Sequence, residues 1–218
     1  MINYFWHFKP DEKKSIPPDC ININKKYIEN FKIITPDKVI PLLIAFDKLP
    51  DLWEKIPNKY WVVKADIARL LYIYHYGGIY LDIDCVLMKN FLQSESSTKN
   101  DLFLFIEHIV DVKTLGPREC KNPENSVRIA NYAFYSKTVK NKFLEICLKE
   151  CIKRLEYLIK LNLETWNPSD ILWVCGPDVI TTIYHKYKDY NINIKLLDQS
   201  YINHLSYGSW RPHQPRRC

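Results

Sequence analysis

Residues 61–87 bring a helix, a glycine stop and a β-strand into direct succession. The segment WVVKADIARLLYIYHY favours a helix, Gly77 and Gly78 end it, and IYLDIDCVL follows at once with β-forming residues. A helix that leads directly into a strand is the repeating unit of α/β sheets. The segment therefore predicts an α/β domain, and it places two aspartates, Asp82 and Asp84, inside an apolar run.

The remainder of the chain alternates in the same way. Apolar, β-branched and aromatic runs predict further strands at 2–8, 31–35, 102–108, 127–136, 171–175 and 192–198. Helical spacing predicts short helices at 36–46 and 49–57, a long amphipathic helix over 139–161 and a helix over 177–187. Residues 109–126 show no periodicity and predict an irregular loop. The alternation favours a mostly parallel central sheet.

Length and charge narrow the class of protein. The chain has 218 residues, which suits one domain spanning 1–218 with a basic tail over 211–218. The net charge of +6 is too small and too scattered to predict nucleic-acid binding, but it suits an anionic ligand such as a nucleotide or a phosphate. The sequence has no run of about 18 apolar residues, so no transmembrane segment is predicted.

Cysteine usage and the N-terminal sequence predict a cytoplasmic protein. Seven cysteines occur without any C-x-x-C pair, and the opening residues do not read as a secretion signal. Heavy use of Asn, Lys, Ile and Tyr indicates an AT-rich genome, such as that of a large DNA virus, a protist or a low-GC bacterium. The predicted cytoplasm therefore includes that of a host cell.

The two aspartates in the apolar run predict a cation site. Side chains two apart on a strand share a face, so Asp82 and Asp84 should point the same way. Two neighbouring carboxylates repel each other unless a cation lies between them, and a hard divalent ion accepts oxygen ligands and bridges phosphates. Taken alone, D-x-D is equally well explained as solvated acids at the end of a strand.

A second charged pair lies one helical turn apart, upstream of the glycines. Asp66 and Arg69 share one helix face because they are three residues apart. On its own this pair is better explained as an exposed ion pair, which contributes little to stability.

The combined pattern resembles a known family. D-x-x-R, a helix and then G-G-x-Y-x-D-x-D is similar to the sugar-binding region of nucleotide-sugar glycosyltransferases with a GT-A fold. The resemblance is closest to the family 32 enzymes, such as the initiating mannosyltransferases and α-1,4-galactosyltransferases, and to the core of the large clostridial glucosylating toxins. The residues that carry it are Asp66, Arg69, Gly77, Gly78, Tyr80, Asp82 and Asp84.

Weaker similarity extends toward both ends of the chain. Trp6, in the first predicted strand, takes the position of the family tryptophan beside the nucleotide base, and Asn131 takes a position near the donor sugar. HLSYGSW resembles the family pattern H-x-x-x-G-S-W, which contributes His204, Ser209 and Trp210. From the residues alone, Trp6 is better explained as a core residue and a lone histidine such as His204 as a structural one; the spacing of His204 to G-S-W favours a functional role for it. Gly176-Pro177 likewise suits either an anion-facing helix start or a structural turn.

The resemblance implies a reaction and a set of roles. A hexose would move from a UDP- or GDP-sugar to a glycan, lipid or protein acceptor with retention of the anomeric configuration. Mn²⁺ or Mg²⁺ would be held by Asp84, by Asp82 directly or through water, and by His204. The other expected donor contacts are base stacking by Trp6, sugar contacts by Asp66 and Asn131, a positive charge from Arg69, a supporting contact from Tyr80, and phosphate contacts from Ser209 and Trp210. A lipid acceptor would add peripheral membrane contact.

Three alternatives bear on this prediction. A glycosyltransferase-like domain that binds a nucleotide sugar without turnover would carry the same residues. A phosphatase with a strand-D-x-D opening is less favoured, because its aspartates lie on the first strand and D-x-x-R has no role in it. Glycoside hydrolysis requires two carboxylates that flank the sugar, and Asp82 and Asp84 are too close together on one segment to do so.

Overall fold

The computed structural model describes residues 1–6, 8–9, 18–94, 99–109, 127–187 and 193–205. The predicted loop over 109–126 and the basic tail over 211–218 lie outside these residues, apart from Ile109. Among the helices in the described part of the chain, none combines the length and hydropathy that a membrane crossing requires.

Strands and helices alternate along the described chain, as the sequence predicts. The strands are β1 Ile2–Phe5, β2 Phe31–Ile34, β3 Gly78–Leu81, β4 Cys85–Leu87, β5 Leu102–Ile109, β6 Val127–Ser136, β7 Ile194–Leu197 and β8 Ile202–His204. The helices are α1 Pro18–Asn24, α2 Pro36–Val39, α3 Leu49–Lys55, α4 Trp61–Tyr76, α5 Phe91–Ser94, α6 Lys142–Lys160, α7 Pro168–Val174 and α8 Pro177–Tyr187. Short 3₁₀ turns occupy Ile40–Ala45, Asn58–Tyr60 and Gln199–Tyr201.

The central sheet has six strands in the order β2-β1-β3-β6-β5-β7. Three of its five pairings are parallel, and β6 runs antiparallel to both of its neighbours. The α/β prediction with a mostly parallel sheet is confirmed. Because β1, β3, β5 and β7 run in one direction, their C-terminal ends meet at one edge of the sheet, which is where open α/β sheets bind ligands.

Each face of the sheet is covered by its own apolar cluster. One cluster lies under α4, α6 and α8 and includes Tyr80 and Phe134, whereas the other lies under α1 and the small β4–β8 sheet and includes Ile79 and Leu81. Neighbouring residues of β3 therefore enter opposite clusters, as the two-residue period of a strand requires. Burial on both faces explains why the strands are apolar throughout.

The two glycines form the junction between α4 and β3. Gly77 and Gly78 have φ angles of +64° and +91°, which disfavour residues with a Cβ. The Gly77 amide donates to the Ile73 carbonyl at 2.8 Å and ends the helix. A Cβ on Gly78 would lie 3.2 Å from the Asn3 amide nitrogen. The junction thus turns the chain directly from a buried helix into a central strand.

One predicted strand is a helix instead. Residues 171–175 were expected to form a strand on account of their apolar and β-branched side chains, but they lie in α7 and at its end. Asn167 caps this helix by accepting from the Asp170 amide, and the Asp170 carboxylate accepts from the Asn167 amide. This reciprocal cap, followed by Pro168 in the first turn, nucleates a helix that intrinsic β-propensity disfavours.

Candidate active site

Arg69 is the centre of a buried polar network at the C-terminal end of β3. Its guanidinium contacts the Asp66 carboxylate at 2.9 Å and the Asp82 carboxylate at 3.2 Å, and donates to the Asn131 carbonyl at 2.9 Å. The Asn131 side chain donates to Asp66 Oδ1 at 3.1 Å. Asp66 and Arg69 are only 4% and 6% exposed. Asp66 and Arg69 are therefore not an exposed ion pair. Groups from α4, from β6 and from the turn after β3 surround the buried Arg69 guanidinium.

Burial sets the ionisation of this network. Burial raises the pKa of Asp66 to about 7, although the Arg69 charge opposes the rise and the Asp82 charge adds to it. Burial alone would lower the pKa of Arg69, but Asp82, Tyr80 and Asp66 together raise it above its usual value. Burial likewise raises the pKa of Asp82. The guanidinium thus remains charged, while burial favours the protonated form of both carboxylates and another cation nearby would favour the ionised form.

Tyr80 supports the network from the strand. Its hydroxyl donates to Asp82 Oδ1, and its ring lies beneath the Arg69 guanidinium at 4.9 Å. The side chain is 2% exposed, and burial raises its pKa well above the usual value. Tyr80 therefore keeps its proton and acts as a fixed donor to Asp82.

The two aspartates lie in a turn rather than on a strand, which corrects the sequence prediction. The Asp82 amide still donates to the Tyr132 carbonyl of β6 at 2.8 Å, but the Cys85 amide donates back to the Asp82 carbonyl at 3.0 Å and closes a turn. After this turn the chain leaves the central sheet and pairs with β8. Strand alternation consequently does not orient the two carboxylates, and they have different partners.

Asp84 faces the C-terminal strand β8. Its Oδ1 lies 3.4 Å from His204 Nε2, and its carbonyl accepts from the Leu205 amide at 3.0 Å. The His204 ring packs against Tyr132 with centroids 4.2 Å apart. Burial lowers the pKa of His204, but the hydrogen bond and charge of Asp84 outweigh this and raise it overall. The pair has the electrostatic character of a site that receives a cation.

The donor set around Asp84 suits a divalent metal. Within the described residues, ligand atoms of Asp84, Cys85 and His204 lie within 4.8 Å of one another. Carboxylate and imidazole groups bind Mn²⁺ and Zn²⁺, and the carboxylate also suits Mg²⁺. Asp82 is not in this cluster, because its carboxylate contacts Arg69 and Tyr80. The cluster and the Arg69 network lie side by side, joined by the 82–84 turn.

A pocket lies beside His204. It has a volume of about 250 Å³ and is lined by Glu107, Tyr132, Gln199, Ile202 and His204. A carboxylate, an amide and an aromatic ring form its wall, which is the composition of a site for a polar, hydroxylated ligand.

Two comparisons identify the region and the fold. Residues 19–103 match the family model described as a glycosyltransferase sugar-binding region containing a DXD motif. The solved structure of the PaToxG glycosyltransferase aligns with a TM-score of 0.54 and 17% identity, over 87% of this chain and 69% of that one.

The chain has a GT-A-like glycosyltransferase fold with a DXD sugar-binding region.

Further comparisons give weaker likeness. The glycosyltransferase domain of the YGT toxin, solved ligand-free and UDP-bound, aligns with TM-scores of 0.46 and 0.45 at 12% identity. These alignments cover 78% of this chain and 53% of the toxin domain, so the chain spans about half of that domain. No curated protein sequence matches the chain.

The structure brings most of the predicted site residues together. Asp66, Arg69, Tyr80, Asp82 and Asn131 form one network, and Asp84 with His204 forms the adjoining pair. Trp6 directly follows β1 at the same edge of the sheet, and its amide donates to the Ile34 carbonyl at 3.0 Å. Ser209 and Trp210 lie outside the described residues.

The Gly176-Pro177 turn starts α8, as predicted. The first turn of this helix contains Asp178, whose carboxylate contacts Arg128 at 2.6 Å. The helix start therefore already carries a paired negative charge, which favours the structural interpretation of the turn over an anion site.

Sequence reasoning missed three residues that shape the site. Cys85 was read only as part of an apolar run and Glu107 as part of a strand, because their importance depends on partners far along the chain. Asn24 ends a short helix but is 1% exposed, donates to the Cys85 carbonyl at 3.0 Å and accepts from the Leu87 amide at 2.7 Å. No signal in the sequence marks Asn24, because its importance depends on its burial, which the sequence does not show.

Proposed function

We propose that the protein is a metal-dependent retaining glycosyltransferase that moves a hexose from a UDP- or GDP-sugar to a glycan, lipid or protein acceptor. The DXD region and the GT-A-like fold support glycosyl transfer. The observation that carries the proposal is the placement of the Arg69 network beside the Asp84–His204 pair, at the ligand-binding edge of the sheet.

The Arg69 network would hold the donor sugar. Asp66 and Asn131 already pair with each other, and such amide and carboxylate groups exchange hydrogen bonds readily with sugar hydroxyls. Arg69 brings a permanent charge that is fixed on three sides, so it needs no reorganisation as negative charge develops nearby. Tyr80 keeps Asp82 oriented through its hydroxyl.

The residues around Asp84 would hold the diphosphate end of the donor. We place a Mn²⁺ or Mg²⁺ ion on Asp84 and His204, with Asp82 bound directly or through water, and Ser209 and Trp210 donating to phosphate oxygens. Such an ion, when bound, offsets negative charge on the leaving diphosphate. Trp6 would stack on the nucleotide base, since an aromatic face suits any base.

Retention follows from attack on the face that the diphosphate leaves. The acceptor hydroxyl forms the new C–O bond as the anomeric C–O bond to phosphate breaks, and its proton passes to a phosphate oxygen. This scheme needs no covalent nucleophile from the protein. It assigns the chain's residues to positioning and charge stabilisation.

The pocket beside His204 is the place we propose for the acceptor hydroxyl. It is next to the pair that would hold the diphosphate, and Glu107 and Gln199 line it. Glu107→Gln keeps the shape of the side chain but removes its charge. Because the variant weakens a charge-assisted hydrogen bond to the acceptor hydroxyl, we expect it to reduce transfer to an acceptor by about 10- to 100-fold, while donor hydrolysis by water is retained. Equal loss of both reactions would place Glu107 with the donor instead.

Donor hydrolysis is the experiment that tests the proposal. The protein is incubated with UDP- and GDP-hexoses, with and without Mn²⁺, and the released nucleotide is measured for the wild type, Asp84→Ala and Asp51→Ala. Asp51 is an exposed carboxylate on α3 and serves as the matched control. We expect release from one donor, only with metal, and lost in Asp84→Ala alone.

The other outcomes each have a defined meaning. Metal-dependent donor binding without release, even when acceptors are supplied, would favour a catalytically silent nucleotide-sugar-binding domain. Release that persists in Asp84→Ala would contradict the proposed metal site. Neither binding nor release across the panel would contradict the proposed function.

A further inference from the structure

Cys85 lies directly after the DXD turn and opposite a candidate metal ligand. It is the first residue of β4, and its register partner across the small sheet is His204 of β8. Partners directly opposite on antiparallel strands project to the same face. The thiol is therefore on the same side as the imidazole, and it is fully buried.

Three different ligand atoms converge at this point. A carboxylate oxygen of Asp84, the Sγ of Cys85 and a ring nitrogen of His204 lie within 4.8 Å of one another. Within the described part of the chain, the Cys85 thiol has one hydrogen-bond partner, the Tyr132 carbonyl, at a long 3.8 Å. A four-coordinate zinc ion needs ligand atoms roughly 3.5 Å apart. The three groups can reach that spacing through side-chain shifts on the order of 1 Å.

The ligand chemistry points to a particular class of ion. Mg²⁺ and Mn²⁺ favour oxygen ligands, whereas thiolate and imidazole together favour Zn²⁺ and similar thiophilic ions. Three protein ligands and one open position are also the arrangement of many zinc sites that exchange water or substrate. The proposed glycosyl transfer needs only the oxygen and nitrogen ligands, so the thiol has no role in it.

We propose that Cys85 completes, with Asp84 and His204, a site that binds Zn²⁺ through a thiolate and so displaces the ion that supports sugar transfer. The Cys85 S–H bond breaks as the sulfur–zinc bond forms, and the proton passes to solvent, with no change of oxidation state. Zinc would thus occupy the place of the diphosphate-binding ion and inhibit the enzyme. The inference rests on the metal ligands of the proposed function but not on turnover.

The test uses the full chain loaded with Co²⁺, whose absorption reports thiolate ligation. Cys120 and Cys218, which lie outside the described residues, are replaced by serine in every protein compared. We expect a thiolate-to-cobalt charge-transfer band in this background and in Cys147→Ala, which removes another fully buried thiol, on α6. The band should be absent in Cys85→Ser.

Zinc affinity gives a second measurement. Competition with a chelating dye should show at least about a tenfold loss of Zn²⁺ affinity in Cys85→Ser, since losing a ligand costs no less than losing its outer-shell partner. Mn²⁺ affinity should fall by a smaller factor, and Zn²⁺ should raise the Mn²⁺ concentration needed for donor hydrolysis.

The outcomes separate this inference from the proposed function. Absence of the band in the background protein, which needs no variant of Cys85, would overturn the thiolate site, as would a band that persists in Cys85→Ser. Mn²⁺-dependent donor hydrolysis could still be present in either case, and the proposed function would then stand without it.

Discussion

At the scale of single residues, the site concentrates charge where the surroundings disfavour it. Asp66 and Asp82 share one buried guanidinium, so negative charge exceeds positive charge within the network. Burying carboxylates without full compensation costs free energy and raises their pKa values. The sequence singled out these residues because the D-x-x-R spacing lies on one helix and the D-x-D segment directly follows the next strand. It did not reveal their burial, which depends on packing against β6.

The raised pKa of Asp66 predicts a specific pH dependence of stability. In the unfolded chain an aspartate loses its proton near pH 4, whereas in the folded protein Asp66 holds it to about pH 7. The free energy of unfolding should therefore fall as the pH rises between these values. In Asp66→Asn, with chelator and without donor, we expect this fall to be smaller by about 2–3 kcal/mol. Denaturant titrations at pH 5 and 7.5 measure it, and parallel slopes in both proteins would contradict the assignment.

We predict that replacing Trp6 lowers only the affinity for the donor. Removal of its ring in Trp6→Ala should weaken binding of the nucleotide donor by about 1–3 kcal/mol, the scale of a base–aromatic stack. Trp6→Phe, which keeps an aromatic face, should lose less. Calorimetric titration with the nucleoside diphosphate and Mn²⁺ measures both. If Trp6→Ala binds the nucleoside diphosphate as tightly as the wild type, Trp6 does not contact the base and has a structural role only.

At the scale of elements, the boundaries that the sequence predicted best are those with strong local signals. β6 spans 127–136 as predicted, and α4 ends at its glycines. The predictions that were wrong depended on competition between local signals. Apolar residues 171–175 form a helix because Asn167 and Asp170 cap it, and the D-x-D run breaks because the Cys85 amide closes a turn. β8 was missed because its partner strand is distant in sequence.

We predict that Asn24, the last residue of α1, stabilises the part of the fold that carries the site. Its side chain connects Tyr4, Cys85 and Leu87, and so holds β4 against the main body. Asn24→Ala would leave buried backbone groups without partners, which should cost about 1–3 kcal/mol of unfolding free energy. The matched control is Asn22→Ala on the same helix, because Asn22 is exposed and, among the described residues, its side chain accepts a hydrogen bond only from Lys25 Nζ.

The same pair of variants separates positioning from folding. Asn24→Ala should also raise the Mn²⁺ concentration needed for half-maximal donor hydrolysis, since β4 adjoins Asp84, whereas Asn22→Ala should change neither quantity. If Asn24→Ala lowers stability without altering the metal requirement, Asn24 acts on folding alone.

At the scale of the whole molecule, the charged side chains of the site lie at one edge of the sheet, next to the apolar core. Two apolar clusters cover the sheet faces, and the polar network and the Asp84–His204 pair lie at one edge. Periodicity along the sequence predicted the strands and the long amphipathic helix that contribute to these clusters, and the motif singled out the residues of the network. The pocket at Glu107 could not be located, because β5, β6 and β8 approach each other only in three dimensions.

This arrangement predicts how the protein responds to ligands. Chelation of metal should leave the protein folded at room temperature, since the core contains no metal-dependent contact within the described residues. Mn²⁺ and donor together should raise the thermal unfolding midpoint, by an amount equivalent to about 2.7 kcal/mol at a hundredfold excess over Kd. Thermal scans with donor and Mn²⁺ added separately and together measure this. Unfolding on chelation would contradict it.

Because β4 pairs with β8, the site forms late during synthesis and folding of the chain. Asp84 follows β3, whereas His204 belongs to β8, about 120 residues later in the sequence. The two residues meet only when the intervening chain has folded and β8 pairs with β4. A ribosome will have released most of the central sheet before the second ligand exists. Metal affinity therefore reports that β8 has paired with β4, and a chain that stops before His204 would lack the second ligand and could not use the donor sugar.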